Sequence, residues 1–444
     1  MTVPPVARTS IALVFVAAVL VAGRADAEGV PQAVELPQQL SLDQSIQILR
    51  TRSLDLLIAE AAVRSAEGDV SVAGAVPNPA LSLYYGRVLP PYNPQLCPGC
   101  SANEYTVGLS DQAAIEDTLS GKRDLRLKVA RKALAAARLS RNDALRTIQY
   151  QVKAAYAAVA QAQRALSFAK ENQATNIKTV QLFTIRLKSG AINEGDLARV
   201  ETQKLEADQA VDQAAVAVRQ ARVALAYLLG VRGPTPEFTV DDKVLDYAVP
   251  PQLANAQLDG LLRTAFEHRP DLLAQGYQRA SAEAAIALAK RQVFPDISIS
   301  AQYTQIGVDQ TAIQPPTISF GLSAPIPIFY QQQGEIRKAE ANYDTQSLQQ
   351  AKSTALVVSD VSTAIAAYES SRTLVERMEK HLRPSAERAF SITRLQYDKG
   401  AATLMDFLDA QRTYIATNVE YLQDLSNYWT AVFQVEQAVG MELH

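Results

Sequence analysis

One stretch of this chain occurs twice, and that repeat limits what the chain can fold into. Residues Leu42 to Leu83 reappear without a gap 216 positions later. Leu42 falls on Leu258, Asp55 on Asp271, Leu56 on Leu272, Pro79 on Pro295 and Ser82 on Ser298. Each copy opens as an alanine-rich helical pattern of about 35 residues. Each then stops at proline and changes to an extended alternating run, PALSLYYG in the first and PDISISAQY in the second. A repeat this long is a structural unit rather than a motif. The fold must therefore have two equivalent halves, each passing from helix to strand.

In the first half, Ser41 can cap a helix that the pattern continues to about Val76, where Pro77 and Pro79 end it. Residues 79–90 and 103–112 read as two strands. Leu81, Leu83 and Tyr85 alternate with Ser82 and Tyr84, and Tyr105, Val107 and Leu109 alternate with Thr106, Gly108 and Ser110. A proline-rich loop joins them. From about Leu119 a proline-free helical pattern runs to about Leu187, roughly 100 Å of helix. LKSGAINEGDL is a turn with Gly190 at the left-handed position. A return helix from about Glu194 to Leu229 carries apolar residues at three-four spacing, the signal of a coiled-coil hairpin.

The second half repeats this order. A helix is expected over about Leu258 to Val293, then strands over Asp296 to Ile306 and Thr317 to Ala324. A long helix follows from near Gln331 to about Leu395, with a kink at Pro384. Gly400 matches Gly190, Asp406 matches Asp196 and Gly440 matches Gly230, all at offset 210. The six residues lost are expected mostly in the hairpin loop. The chain divides into a signal peptide (1–27), an extended lead-in (28–40), a first repeat (41–230), an inter-repeat segment (231–257), a second repeat (258–440) and a short tail (441–444).

Charge excludes one class of partner. With 46 acidic and 43 basic side chains the net charge is -3, which leaves no basic footprint for nucleic acid. Arg8, the apolar run Ile11 to Ala22 and Ala25-Asp26-Ala27 read as a signal peptide cleaved before Glu28. No cysteine lies near that site to carry a lipid anchor. No Ser–His–Asp, metal-ligand or phosphate-loop spacing is present, so no catalytic residue, cofactor or metal site is expected. His268, His381 and His444 lie far apart and read as incidental surface residues.

Four alternating strands cannot leave open edges in a membrane, and they are too few to close a barrel alone. The physical resolution is that three chains pool twelve strands, with their helices forming a tube below. The fold class is then an α+β membrane protein: a trimer-shared 12-stranded transmembrane β-barrel, four strands per chain, continuous with a long periplasmic α-helical barrel.

From about residue 41 to 440 the chain resembles the trimeric outer-membrane factors, the TolC-like efflux channels. The resemblance is carried by the two helix-to-Pro-x-Leu/Ile units, Leu42 to Leu83 and Leu258 to Ile299. It is also carried by YDKGAATLMDFLDAQRTYI, with Tyr397, Gly400, Leu408, Ala410, Gln411 and Arg412 at the family's positions. The first-half version keeps Gly190, Asp196 and Leu197 but departs elsewhere. The resemblance implies a homotrimer in outer-membrane lipid. It also implies hairpin tips near Gly190 and Gly400 that face a periplasmic adaptor, and an inner-membrane pump of the resistance-nodulation-division type. PNP at Pro77 to Pro79 resembles the cation-efflux branch, so metal cations are the expected cargo, with drugs or a secreted protein as alternatives.

Particular residues carry open readings. Asp196, Asp406 and Asp409 follow the turns. They suit either the first turn of a helix or, in a three-fold tube, rings of carboxylates that hold the entrance shut and favour cations. Cys97 and Cys100 read first as a disulfide staple in an extracellular loop, then as free thiols, then as a weak metal site. Arg123, Arg126, Arg337 and Lys338 are interfacial anchors or solvated charges. Tyr84, Tyr85, Tyr303, Phe320 and Phe329 are candidates for an aromatic girdle. Trp429 reads as helix packing. A periplasmic adaptor or a structural coiled-coil protein are the rival readings. An adaptor carries one hairpin rather than two, and a coiled coil leaves the strand units unexplained.

Overall fold

A computed structural model describes residues 36–87, 103–254, 257–306 and 316–443. The segment expected to be a signal peptide, most of the expected lead-in, and the loop holding Cys97 and Cys100 lie outside the described residues. The first half runs β1 (Gln39–Leu40), α1 (Leu42–Arg52), α2 (Leu54–Gly74), β2 (Ala80–Arg87), β3 (Asn103–Ser110), α3 (Ala114–Leu119), α4 (Lys122–Lys188) and α5 (Glu194–Leu228). A connecting segment holds β4 (Thr239–Val240) and one 3-10 turn (Asp242–Leu245). The second half runs α6 (Leu258–His268), α7 (Pro270–Arg291), β5 (Ser298–Ile306), β6 (Thr317–Ser323), α8 (Gln333–Arg377), a π turn (Met378–Leu382), α9 (Arg383–Asp398) and α10 (Leu404–Val439).

The opening helix of each half is not continuous, contrary to the expectation from sequence. It breaks at Ser53 and at Arg269, both extended. In the second copy the cause is local. Pro270 occupies the first helical position, and the residue before a proline is driven out of the helical region. In the first copy Ser53 does the same without proline, so a non-local contact must favour the break.

Glycines supply that contact. α5 and α10 end at Gly230 and Gly440, with φ of +84° and +82°. A Cβ on Gly230 would lie 2.5 Å from the Arg52 carbonyl oxygen, and one on Gly440 would lie 3.4 Å from the Arg269 backbone. The end of each half thus docks on the break at its beginning; both glycines hold a left-handed φ, and at Gly230 a side chain would also collide with the Arg52 carbonyl.

The sheet order is β2-β3-β5-β6, antiparallel throughout, so the two hairpins lie side by side. β2 and β6 are its free edges. The missing residues of the second half are spread out rather than concentrated in one loop. The offset is 213 at the last strand residues Ser110 and Ser323, 211 at Gly121 and Gln332, and 210 at the turns.

Below the sheet stand the long helices. α4 is 67 residues, about 100 Å. It starts after Gly121 at φ +76°, whereas its counterpart α8 starts after Gln332, a non-glycine held at φ +63°. Pro384 lies inside a continuous helical run: residues Met378–Leu382 form a π turn just before it, with Leu382 and Arg383 still right-handed, so its missing N–H falls where the hydrogen-bond spacing is already irregular.

The main core lies at mid-length, where α4, α5, α8 and α10 meet the connecting segment. Tyr156, Tyr428, Phe238, Leu225, Leu245 and Val361 are fully buried there. Tyr156 ties this level together: its hydroxyl donates to Leu40 O at 2.8 Å and accepts from Asp241 N–H at 2.9 Å, holding parallel strands β1 and β4. Trp429 packs between Tyr428 and Phe433, as helix packing requires.

Gly230→Ala should cost about 2 kcal/mol or more, because a left-handed alanine alone costs about 1–2 kcal/mol and its Cβ meets backbone. Gly190 is also left-handed, but a methyl added there would have no neighbouring atom within 4 Å. Gly190→Ala should therefore cost only the smaller conformational part. Thermal unfolding of the two purified variants measures the difference; equal losses would contradict the docking role.

Candidate functional site

The sheet's apolar side chains are exposed, and on the opposite, polar face only Thr106 and Gly108 are buried while Ser82, Tyr84, Gln302, Thr317 and Ser319 are exposed as well. Leu83 is 75% and Phe320 81% exposed, whereas Thr106 is 7%. Strand register sorts the residues into rows. Leu81, Leu109, Ala301 and Phe320 pair across one face, followed by Leu83, Val107, Tyr303 and Ile318. The other face carries Ser82, Gly108, Gln302 and Ser319, then Tyr84, Thr106, Thr304 and Thr317. An apolar face backed by a polar one is what a strand wall between lipid and water requires.

Tyr85, Tyr303 and Phe320 belong to the apolar face, joined by Tyr105, whose ring lies 5.3 Å from that of Tyr85. Tyr84 faces the other way, so it is corrected from girdle to interior. Phe329 stands outside the strands, almost wholly exposed. On the interior face Thr106 and Thr304 share a hydrogen bond at 3.1 Å, and Ser82 donates to the Gly108 carbonyl at 3.3 Å. Gly108 faces the Ser82 hydroxyl and Gly321 that of Ser300. A Cβ at either glycine would lie 2.6 Å from the facing oxygen.

Strand passes to helix through a built joint that the sequence did not reveal. Lys122, 4% exposed, contacts Asp296 at 2.6 Å, the Phe294 carbonyl at 2.8 Å and Glu116 at 3.1 Å. Arg126 grips Asp117 of α3 with two bonds, at 2.6 and 2.7 Å. Arg123 donates to Gly74 O at 2.8 Å, and Arg291 to Ser120 O at 2.6 Å. Arg123 and Arg126 are therefore neither lipid anchors nor free charges; they tie the joint. Arg337 and Lys338 are exposed, as solvated charges are. Just beyond β3, Asp111 accepts the Ile299 N–H at 2.7 Å, and that bond is the main cause holding its carboxyl below the ordinary value.

At the far end, both turns close in the same way. Gly190 N–H bonds to Leu187 O and Ala191 N–H to Arg186 O, each at 2.9 Å. Gly400 and Ala401 repeat the pattern on Tyr397 and Gln396. The return helices are capped by Asn193 and Thr403. Asp196 and Asp406 are each three residues further on, so neither is the cap itself. Asp406 completes a capping box: its carboxylate accepts from the Thr403 hydroxyl at 2.7 Å and the Thr403 N–H at 2.9 Å. The hydroxyl bond leads in holding its carboxyl below the ordinary value.

Asp196 lies 3.9 Å from Arg199 and lines a cleft of about 510 Å³ between the turns, together with Arg186, Tyr397, Asp398 and Gly400. Asp406 and Asp409 are exposed and do not line it. The three aspartates are therefore not gathered into one site within a single chain.

What joins the two hairpins is an aromatic ladder. Phe183 of α4 stacks on Tyr397 of α9 (5.9 Å, 7°), and Tyr397 on Phe407 of α10 (5.4 Å, 20°). Phe390 continues it to Phe407 and Tyr414. Arg186 caps the end, 5.6 Å from the Tyr397 ring centre and 4.0 Å from Asp398. The signal was available in the sequence: Phe390 and Tyr397 are seven residues apart, as are Phe407 and Tyr414.

A wall polar on one side and lipid-compatible on the other, standing on very long hairpins, matches one family model over most of the chain. The model is that of the outer membrane efflux protein, matched at residues 45–231 and 261–441. The chain belongs to the outer membrane efflux protein family. It is similar to the cobalt-zinc-cadmium resistance protein CzcC of Cupriavidus metallidurans, 22% identical over 402 residues, 90% of each chain. It is also similar to the pyoverdine export outer membrane protein OpmQ of Pseudomonas aeruginosa, 26% identical over 417 residues, 89% of this chain and 84% of that one. In fold it is like the solved channel protein CusC, with a TM-score of 0.74 at 20% identity, covering 93% of this chain and 97% of that one.

As a family member this protein is an outer-membrane efflux channel, with its helical barrel in the periplasm. No described helix is long and apolar enough to cross a membrane.

Lys122→Met should loosen the joint by about 3 kcal/mol, the lower end of the cost of breaking a buried pair, because Asp296 is mostly exposed. Arg337→Met, at an exposed position, should change stability by less than about 0.5 kcal/mol. Heat denaturation of both variants in detergent checks the contrast.

Proposed function

We propose that three copies of this chain close one 12-stranded barrel and serve as the exit duct of a tripartite pump that expels metal cations. The observation that carries the trimer is the sheet's pair of free edges: β2 and β6 each present one unpaired side in a wall built for lipid. Joining β6 of one copy to β2 of the next satisfies both. The hairpin tips at Gly190 and Gly400 then face a periplasmic adaptor, with a resistance-nodulation-division pump beyond it. Exposed Ile185, Leu395 and Met405 beside the turns supply apolar surface for that contact.

The cation reading is supported by the likeness to a cobalt-zinc-cadmium resistance protein across nine-tenths of the chain. A second reading, export of an organic molecule, has the pyoverdine exporter in its favour at the higher identity. A deletion strain separates them. Sensitivity to cobalt, zinc or cadmium with unchanged siderophore secretion and detergent tolerance supports cations; the converse pattern removes them.

The same trimer would turn Asp196, Asp406 and Asp409 into rings of three carboxylates at the periplasmic entrance, where they would favour cations and hold the entrance narrow. Asp406→Asn retains an acceptor for the Thr403 hydroxyl and removes the charge, so it separates gate from cap. Its expected effect is a changed open probability or a lower cation preference in single-channel recordings, with little change in melting temperature. An unchanged open probability and selectivity would eliminate the gate role.

A further inference from the structure

We propose that Glu104 sets a ring of negative charge at the extracellular mouth of the duct and makes that end select for cations. The inference rests on reading the polar face as the lumen of a three-chain barrel. It concerns the opposite end from the tip aspartates.

Register places the residue. Glu104 pairs with Gly86 on β2 and Ile306 on β5, and alternates with Thr106 and Gly108, so it lies on the interior face. Its row is the outermost of that face, since β3 enters from the loop end at Asn103 and leaves toward α3. Among the described strand residues of that face it alone carries a charge; the rows below it are hydroxyls, amides, glycine, alanine and a tyrosine. The adjacent Gly86 offers no side chain, and the Glu104 carboxylate lies over it, 3.5 Å from its Cβ position and beside the Tyr84 ring.

Nothing described neutralises this charge. No ion pair or hydrogen bond to the Glu104 carboxylate is formed among the described residues, and Arg87, the nearest strand cation, alternates onto the lipid-side face. The loops that flank the row, 88–102 and 307–315, contain no lysine or arginine in their sequence. Three-fold closure therefore makes a ring of three uncompensated carboxylates above an otherwise neutral wall. Rings of this kind raise the local concentration of cations and repel anions. An emerging cation meets this ring last. A positively charged blocker in the medium meets it first.

Sidedness makes the test specific. Lanthanum(III) added to the extracellular chamber of the full-length channel in a planar bilayer should block its current. Glu104→Gln should weaken that block by about tenfold or more while leaving block from the periplasmic chamber unchanged. Ile306→Lys keeps Glu104 and adds a cation to its row, and it should weaken extracellular block likewise, so the outcome does not hang on one variant folding. Equal extracellular block in wild type and both variants, or an equal loss from both chambers, would overturn the ring. Absence of any conducting pore in wild type would instead overturn the lumen reading beneath it.

Discussion

Hydrocarbon offers no hydrogen bonds, and this one fact organises the molecule. Each backbone N–H or C=O left open in it costs several kcal/mol. A chain with four strands and two free edges cannot meet that demand alone. Everything above the joint answers to it: strands of matched length, an outward apolar face, an inward face of hydroxyls small enough to close around a lumen. The exposed apolar face is not a defect of packing. It is the ordinary pattern of a soluble sheet with the two solvents exchanged.

Below the joint the solvent is water and the rules revert. The helices bury alanine, valine and aromatic rings in the usual way, and the deepest packing falls at mid-length around Tyr156 and Tyr428. The two regimes meet over a few residues, where Lys122, Arg123, Arg126 and Arg291 replace hydrophobic packing with directed bonds. That substitution has a physical reason. Neither a lipid-facing strand nor a coiled coil offers an apolar face to the other, so the junction is held by charge and carbonyls.

Legibility in the sequence followed the range of the interactions. The alternation of Leu81, Leu83 and Tyr85 announced strands with one wet face, because lipid selects every second residue. The turns were readable from Gly190 and Gly400, since a left-handed residue closes each one locally. The break at Ser53 was not readable, because its cause is Gly230, far along the chain, pressing on Arg52. Lys122 was missed for the same reason: its partners Phe294 and Asp296 lie more than 170 residues away. Asp406 was half readable. Its first-turn position followed from the turn at Gly400 and its match to Asp196, but nothing in one chain's sequence places it near Asp196, and the structure keeps the two in different surroundings.

The π turn before Pro384 sets the two long rods apart. It is the point where the second long helix departs from α4, which runs 67 residues without interruption. A π turn widens one turn of the helix, its hydrogen bonds running to i+5 instead of i+4. α8 packs on α7 and on α10, and beyond the π turn α9 packs on α10 and carries the aromatic ladder. The two halves of the repeat thus share a plan but not a hydrogen-bond pattern: one long rod is α-helical throughout, and the other gives up that spacing for a single turn beside its proline.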